Sequence, residues 1–396
     1  MRSMSGALRD SLVRTLPLLS MFLALCSLSA CESDDPNGPP PPPLANEGRD
    51  IFRFDTFGDE SFWTDTLRMH EVISSSVSPV TALSVGLKVD ADALPPGILQ
   101  TANLNDPATT VALLKLNAVV GLKGTVTSIN GRDSLTAVGT TCALCHSTVD
   151  NSVQAGIGRR LDGWPNRDLN PGAIIALSPA VSASEKTILN AWGPGKYDPR
   201  HNIDGENFPV LIPPAYGLSG VSQATYTGDG DISYWNNYVA VTQMHGHGTF
   251  VDSRIGVSVV RPPDLVSSKL PALRDYQLSL VKPPPPAGSF DVSAAVRGRV
   301  VFTGQGQCVT CHAGSKFTQD TLHPATDTGV ESFYATRSAT KKYRVTPLRA
   351  LWQHPGYFHD GSAASLEAVV NHYDTYRGLG LSADQKADLV QYLKSL

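Results

Sequence analysis

The pentapeptide Cys-x-x-Cys-His occurs twice in this chain, as Cys142-Ala143-Leu144-Cys145-His146 and as Cys308-Val309-Thr310-Cys311-His312. It is the attachment signal for c-type haem. Two thiols separated by two residues reach the vinyl groups on one edge of a porphyrin, and the adjacent His supplies one axial nitrogen to iron. A lone Cys-x-x-Cys also suits half a zinc site or a thioredoxin-like redox pair. Zinc needs its second pair close by, whereas these two pairs lie far apart, and a thioredoxin pair needs no His. The sequence therefore predicts two covalently bound haems, held by Cys142, Cys145, Cys308 and Cys311, with His146 and His312 as iron ligands. Such a chain moves electrons or carries out redox chemistry.

The other two cysteines belong to the N-terminus. Arg2, Arg9 and Arg14 precede an apolar run over residues 16–30 that is short for a membrane span and is interrupted by Pro17, Ser20 and Ser27. The run contains Cys26 and ends in Leu28-Ser29-Ala30-Cys31, which resembles a bacterial lipobox. Residues 1–30 then form a lipoprotein signal peptide, with Cys31 acylated as a lipid anchor to a membrane; cleavage near Ala30 as an ordinary secretory signal is the other reading. Both export the chain. Glu32 after Cys31 points to an outer-membrane lipoprotein facing the periplasm. Residues 31–45 read as a proline-rich tether in extended polyproline conformation, since residues 39–43 are all proline. No thiol remains for a structural disulfide.

A second proline run, residues 283–286, opens a linker over 283–288. It separates an N-terminal haem domain, 46–282, from a C-terminal cytochrome c domain, 289–396. Each holds one motif. The expected fold is mainly α, two cytochrome c-like haem domains with long irregular loops. Asp291 is placed to cap a helix running to about Phe302, with Val292, Ala295, Val296, Arg299 and Val300 in helical spacing. Ser382 and Gln385 form a capping-box pattern ahead of the apolar stripe Leu389, Val390 and Leu393. In the N-terminal domain, residues 111–120 and 174–177 are apolar and read as either helix or strand, residues 197–230 read as loops, and few strands are expected. Only 17% of the residues are charged and the net charge is −4. No basic stripe is present, so nucleic acid is not an expected partner.

The stretch Thr346-Pro347-Leu348-Arg349, followed by Tyr357-Phe358-His359-Asp360-Gly361-Ser362 and Ser365-Leu366-Glu367-Ala368-Val369-Val370, resembles the second haem domain of the bacterial dihaem cytochrome c peroxidases and MauG-like enzymes. Upstream the resemblance rests on the first motif and on Gly228-Asp229-Gly230. It implies a reactive N-terminal haem, an electron-passing six-coordinate C-terminal haem, and a calcium ion between them, although Asp229 and Asp231 do not match a calcium-loop pattern. The implied partners are hydrogen peroxide and a small redox protein as electron donor or acceptor.

Axial ligands decide what each haem does. Beyond the signal peptide the chain has only Met69 and Met244, so the C-terminal domain offers no Met ligand. Counting from His359, the family's ligand position falls on Tyr373, with His372 and Tyr376 as runners-up; the alternative is that Tyr373 packs against the haem edge. For the first haem, Gln243, His245 and His247 are the candidate distal or catalytic residues, with glycines beside the histidines that permit close approach. Either His would ligate iron or serve as an acid–base group. Arg349 is placed to pair a haem propionate. His354 and His359 suit hydrogen bonds to propionate or backbone. Trp235 and Tyr226 read as core aromatics or inter-haem relays. Three readings remain: a peroxidase-type oxidoreductase, a pure electron carrier with two six-coordinate haems, and a lipid-anchored sensor or binding module in which haem is structural, the last fitting two tethered haems least well.

Overall fold

In the computed structural model, which describes residues 42–396, helices and long irregular segments predominate and the sheets are small. The expected signal peptide, Cys26, Cys31 and the first part of the expected tether lie outside the described residues. The tether's last residues are helical, not extended: the first helix is Pro42–Phe54. Proline is tolerated in a first helical turn, where its missing N–H would have had no partner. Among the described residues no helix is long and apolar enough to cross a membrane.

The N-terminal region carries more strand than expected. All five two-stranded sheets of the described residues lie between Val89 and Val260. The largest is the hairpin Leu122–Ile129 with Arg132–Thr140. Its turn is Asn130-Gly131, both with positive φ (51° and 77°). That dipeptide is the strongest short-range hairpin signal, because its backbone twist matches that of the flanking strands. The hairpin delivers Thr140 directly to Cys142. Gly121, just before it, has φ 83°, and a Cβ there would lie 2.1 Å from the Leu144 Cα. Only glycine lets the hairpin approach the first motif this closely. Of the ambiguous apolar stretches, 174–177 falls at the end of helix Pro171–Ala176, and 111–120 is helical only to the end of Pro107–Lys115, after which Val119 bridges Val89.

Two apolar clusters fill this region. One gathers Phe52, Phe57, Tyr238, Val241 and Leu273, with Cys142 at its edge. The other gathers Leu67, Leu114, Val138 and Leu169, with Leu144 and Cys145 at its edge. The first motif therefore sits on the seam between them.

In the C-terminal region, helix Val292–Thr303 is capped by Asp291, whose Oδ1 accepts from Ala294 N (2.7 Å). The closing helix, Ala383–Lys394, has both hydrogen bonds of the Ser382/Gln385 capping box. The buried face of the entry helix differs from the expected one. Val292, Val296 and Val300 are each more than three-fifths exposed, while Ala294, Ala295, Gly298, Val301 and Phe302 are buried. The cause is close helix–helix approach: a Cβ on Gly298 would lie 2.0 Å from the Asp388 carbonyl oxygen. The face made of small residues wins over the face made of valines, because it lets the backbones pack. Between them in sequence comes a third helix, Leu366–Arg377, capped by Ser365 and ended by Gly378 at φ 62°. Phe302, Leu366, Val370, Leu389 and Leu393 form a core drawn wholly from residues beyond 300. Each such side chain contributes about 1.5–3 kcal/mol when fully buried.

Residues 283–286 are irregular and link the regions. A buried ion network also ties them. Arg200 Nη2 donates to Asp229 Oδ2 (2.6 Å), and its Nη1 donates to the Arg337 carbonyl (2.7 Å). Arg337 in turn grips Asp198 and Asp204.

Candidate functional site

The second motif opens onto a cavity of about 270 Å³. Cys308, Cys311 and His312 form part of its wall, and Tyr373, from helix Leu366–Arg377, forms another part. The three candidate sixth ligands on that helix separate by geometry. His372 Nε2 donates to the Thr328 carbonyl (2.7 Å), and the Tyr376 hydroxyl donates to the Thr326 carbonyl (2.6 Å). Both are committed to the 326–328 loop. Tyr373 lines the cavity, and its hydroxyl makes no hydrogen bond among the described residues. Burial, with Cys311 and Cys308 adding, pushes its phenol up to about 12. Such a phenol stays neutral at neutral pH and releases its proton to solvent only when a nearby cation such as a metal stabilises the phenolate.

Both motif histidines are held the same way. His146 Nδ1 faces the Pro213 carbonyl (3.1 Å), and His312 Nδ1 faces the Phe317 carbonyl (3.0 Å). A carbonyl accepts only from N–H, so the proton sits on Nδ1 and the Nε2 lone pair is left for a metal. Burial lowers both imidazoles, His146 to about 4, which keeps them neutral as ligation requires.

Around the first motif, the structure separates residues that lie close in sequence. Gln243 is buried and fully engaged: Tyr197 hydroxyl donates to its Oε1 (2.9 Å), and its Nε2 donates to Asn202 Oδ1 (3.1 Å) and Thr242 Oγ1 (2.9 Å). Tyr197 and Cys145 pack against the same apolar cluster, so Gln243 is linked through Tyr197 to the surroundings of the first motif. His245 stacks on Phe62 (centroids 3.6 Å apart), and its Nδ1 accepts from Arg261 (3.3 Å). Its remaining proton therefore sits on Nε2, the wrong tautomer for Nε2 ligation. His247 donates from Nδ1 to the Pro262 carbonyl (3.0 Å) and points Nε2 at Ser61 (3.4 Å). No hydrogen bond, ion pair or ring stacking joins either His to Cys142, Cys145 or His146 among the described residues.

Asp59 carried no sequence signal, yet it is completely buried beside the first motif. Its carboxyl accepts from Thr140 N (3.1 Å) and Thr140 Oγ1 (2.6 Å), two residues before Cys142. Burial raises it to about 8, with Thr140 opposing and Glu60 and Asp55 adding. The folded chain thus holds a proton that the unfolded chain releases near pH 4. Stability from this group is full below that pH and falls as pH rises through about 8. Asp59→Asn keeps the hydrogen-bonding shape and abolishes the titration. Urea unfolding at pH 5 and pH 8 is expected to show the variant gaining stability over the parent at the higher pH; an equal difference at both would refute this.

The other expected residues have defined places. Arg349, His354 and His359 all line the second cavity. His359 Nε2 lies 3.1 Å from both the Tyr343 hydroxyl and Glu331, which makes it a packed core group. Tyr226 also lines the cavity and donates to the Leu211 carbonyl (3.0 Å), whereas Trp235 is in the first apolar cluster. Asp229 is used by Arg200, and Asp231 caps helix Ile232–Tyr238. No group of three or more His, Cys, Asp or Glu suited to a metal ion is found among the described residues.

Two arginines went unread in the sequence. Arg167 and Arg344 line the same cavity as Arg349, and no Asp or Glu does. Arg167 Nε and Nη1 and Arg344 Nε are buried with no hydrogen-bond partner. Buried cations without counter-charge are costly, so an apolar cavity built this way suits a largely apolar group that carries anionic arms. A haem, with its two propionates, has that character.

MauG of Methylorubrum extorquens is 31% identical over 150 residues, 32% of this chain and 42% of the relative. MauG of Methylophilus methylotrophus is 30% identical over 125 residues, 26% of this chain and 36% of the relative. Over these stretches the chain is similar to MauG. It matches less than half the length of either curated relative. No family model matches it. Among solved structures, Kuenenia stuttgartiensis hydrazine synthase aligns at TM-score 0.36 and 17% identity, covering 48% of this chain and 73% of the other. A MauG-like protein associated with microbial copper homeostasis aligns at 0.34 and 17%, covering 48% and 74%. Both structural likenesses are too distant to carry an argument.

Proposed function

We propose that this protein is an exported dihaem c-type cytochrome of the peroxidase type, with one cytochrome c-like domain around each motif. The observation that carries the reading is the second cavity, where one attachment motif, a carbonyl-held His312, the free Tyr373 hydroxyl and uncompensated arginines converge. Bound haem supplies an iron that exchanges electrons and, where a coordination position is open, reacts with peroxide.

The chain's own residues do the rest. Cys142, Cys145, Cys308 and Cys311 fix the two groups covalently. Pro213 and Phe317 carbonyls orient His146 and His312 and strengthen them as ligands. Tyr373 would hold the second haem's iron opposite His312, and its oxygen, once anionic, would favour the ferric state and lower the potential. At the first haem, His245 is ill-suited as a sixth ligand because its proton sits on Nε2; an open sixth position there would admit peroxide, whereas ligation by His247, whose Nδ1 is held by the Pro262 carbonyl, would leave the pure carrier. Gln243 acts by positioning Tyr197 near Cys145, since its own amide is already paired. Electrons arrive from a small redox protein, and anchoring through Cys31 keeps the protein in the periplasm.

The test is to mix half-reduced protein with hydrogen peroxide and follow haem oxidation and turnover with a reduced donor. Turnover well above that of free haem supports the reading. A rate equal to free haem would leave electron carriage alone.

A further inference from the structure

We propose that Arg167 and Arg344 complete, with Arg349, an anion subsite for the two propionates of the haem attached at Cys308 and Cys311, and that Arg167 ties this subsite to the first motif. The inference rests on the reading that the cavity holds that haem.

The charges demand an anion. Three guanidiniums face one cavity whose lining contains no carboxylate. Arg344 is destabilised by burial and by its like-charged neighbour Arg349. Arg167 has only the phenols of Tyr226, Tyr216 and Tyr357 as favourable neighbours. Arg344 Nη1 donates to the Gln223 carbonyl, which fixes the side chain but supplies no charge. The orphaned donors, Nε and Nη1 of Arg167 and Nε of Arg344, match what planar guanidiniums offer to carboxylates. Arg377, a fourth arginine on the wall, instead reaches toward the Asp327 carbonyl at the surface.

Arg167 is distinct because of where its backbone is held. Asn166 N donates to the Cys145 carbonyl (2.9 Å), and Gly163 N donates to the His146 carbonyl (2.8 Å). Ala215 N then donates to the Gly163 carbonyl (2.8 Å), beside the Pro213 carbonyl that holds the His146 ring. Pro213, Pro214 and Tyr216 line the second cavity. Residues 163–167 and 213–216 therefore touch the first motif through their backbones and the second cavity through their side chains. Pairing Arg167 with a propionate makes the second haem part of the support for the first haem's proximal ligand.

Each buried cation near an iron favours the ferrous state, so its removal lowers the potential. The experiment is spectroelectrochemistry on the haem-loaded full chain carrying Arg167→Met, Arg344→Met or the corresponding Lys substitutions. Both Met variants are expected to shift the second haem's reduced-to-oxidised ratio about tenfold toward oxidised, which is about 59 mV for one electron. The Lys variants should recover most of that shift, and Arg167→Met alone should also move the first haem. An unchanged second-haem potential, with haem still attached to the C-terminal peptide, overturns the proposal. Absence of haem from that peptide in the parent protein overturns the reading beneath it. If Arg167→Met and Arg344→Met affect the first haem equally, the tie through Arg167 is wrong.

Discussion

A Tyr373→Phe variant is expected to lose the low-spin ferric signal of its second haem and to gain at least a tenfold shift toward the reduced state, about 59 mV. The reason is the ligand type. A phenolate is a hard anionic donor that stabilises ferric iron, and phenylalanine offers no donor in its place. The geometry makes this a selective test, because His372 and Tyr376 are both tied to loop carbonyls and would have to break those bonds to substitute. Phenylalanine also keeps the aromatic packing of Tyr373 against Phe358, so the fold should survive. Electron paramagnetic resonance of the ferric protein reads the result. A low-spin signal that survives the substitution unchanged removes Tyr373 from the iron.

Asp229→Ala is expected to cost about 3–5 kcal/mol of stability, the usual penalty for removing one partner of a buried ion pair. Its side chain is wholly buried, as nearly is that of Arg200. Besides Arg200, the carboxylate accepts from Thr227 Oγ1 (2.9 Å) and Thr340 N (3.2 Å), so its loss leaves one cation and two donors unsatisfied. Arg200 Nε already lacks a partner, which leaves no slack for rearrangement. The penalty falls on the contact between the two motif-bearing regions, because Arg200 also holds the Arg337 carbonyl. Urea unfolding of the haem-loaded protein measures it; a loss below about 1 kcal/mol would mean the network is not a structural tie.

Much of the site was legible because its chemistry is written in contiguous residues. Both Cys-x-x-Cys-His motifs, and the caps at Asp291 and at Ser382 with Gln385, are local signals, and their backbone geometry follows from residues within a few positions. Tyr373 was reachable by counting along a resemblance. The hairpin turn at Asn130-Gly131 was equally local and was overlooked under the expectation that a haem domain has few strands. The burial of the entry helix was a different kind of error. Its valines give a good helical stripe, but the choice of face depended on Gly298 meeting Asp388 across the closing helix, which sequence spacing does not report. The same holds for Arg167 and Arg344. Neither stands in a motif, and only folding brings them with Arg349 around one cavity. Gln243, His245 and His247 show the converse. Their closeness in sequence suggested one distal group, whereas a π-helical turn ending at Gln243 and the positive φ of His245 send the side chains to separate partners.

The most direct test of the whole account is the mass of two peptides from matured protein after acid-organic extraction. Colour should stay with the polypeptide, and the fragments containing Cys142-Ala143-Leu144-Cys145-His146 and Cys308-Val309-Thr310-Cys311-His312 should each carry one added haem. Free pigment in the extract, with either fragment unmodified, contradicts it.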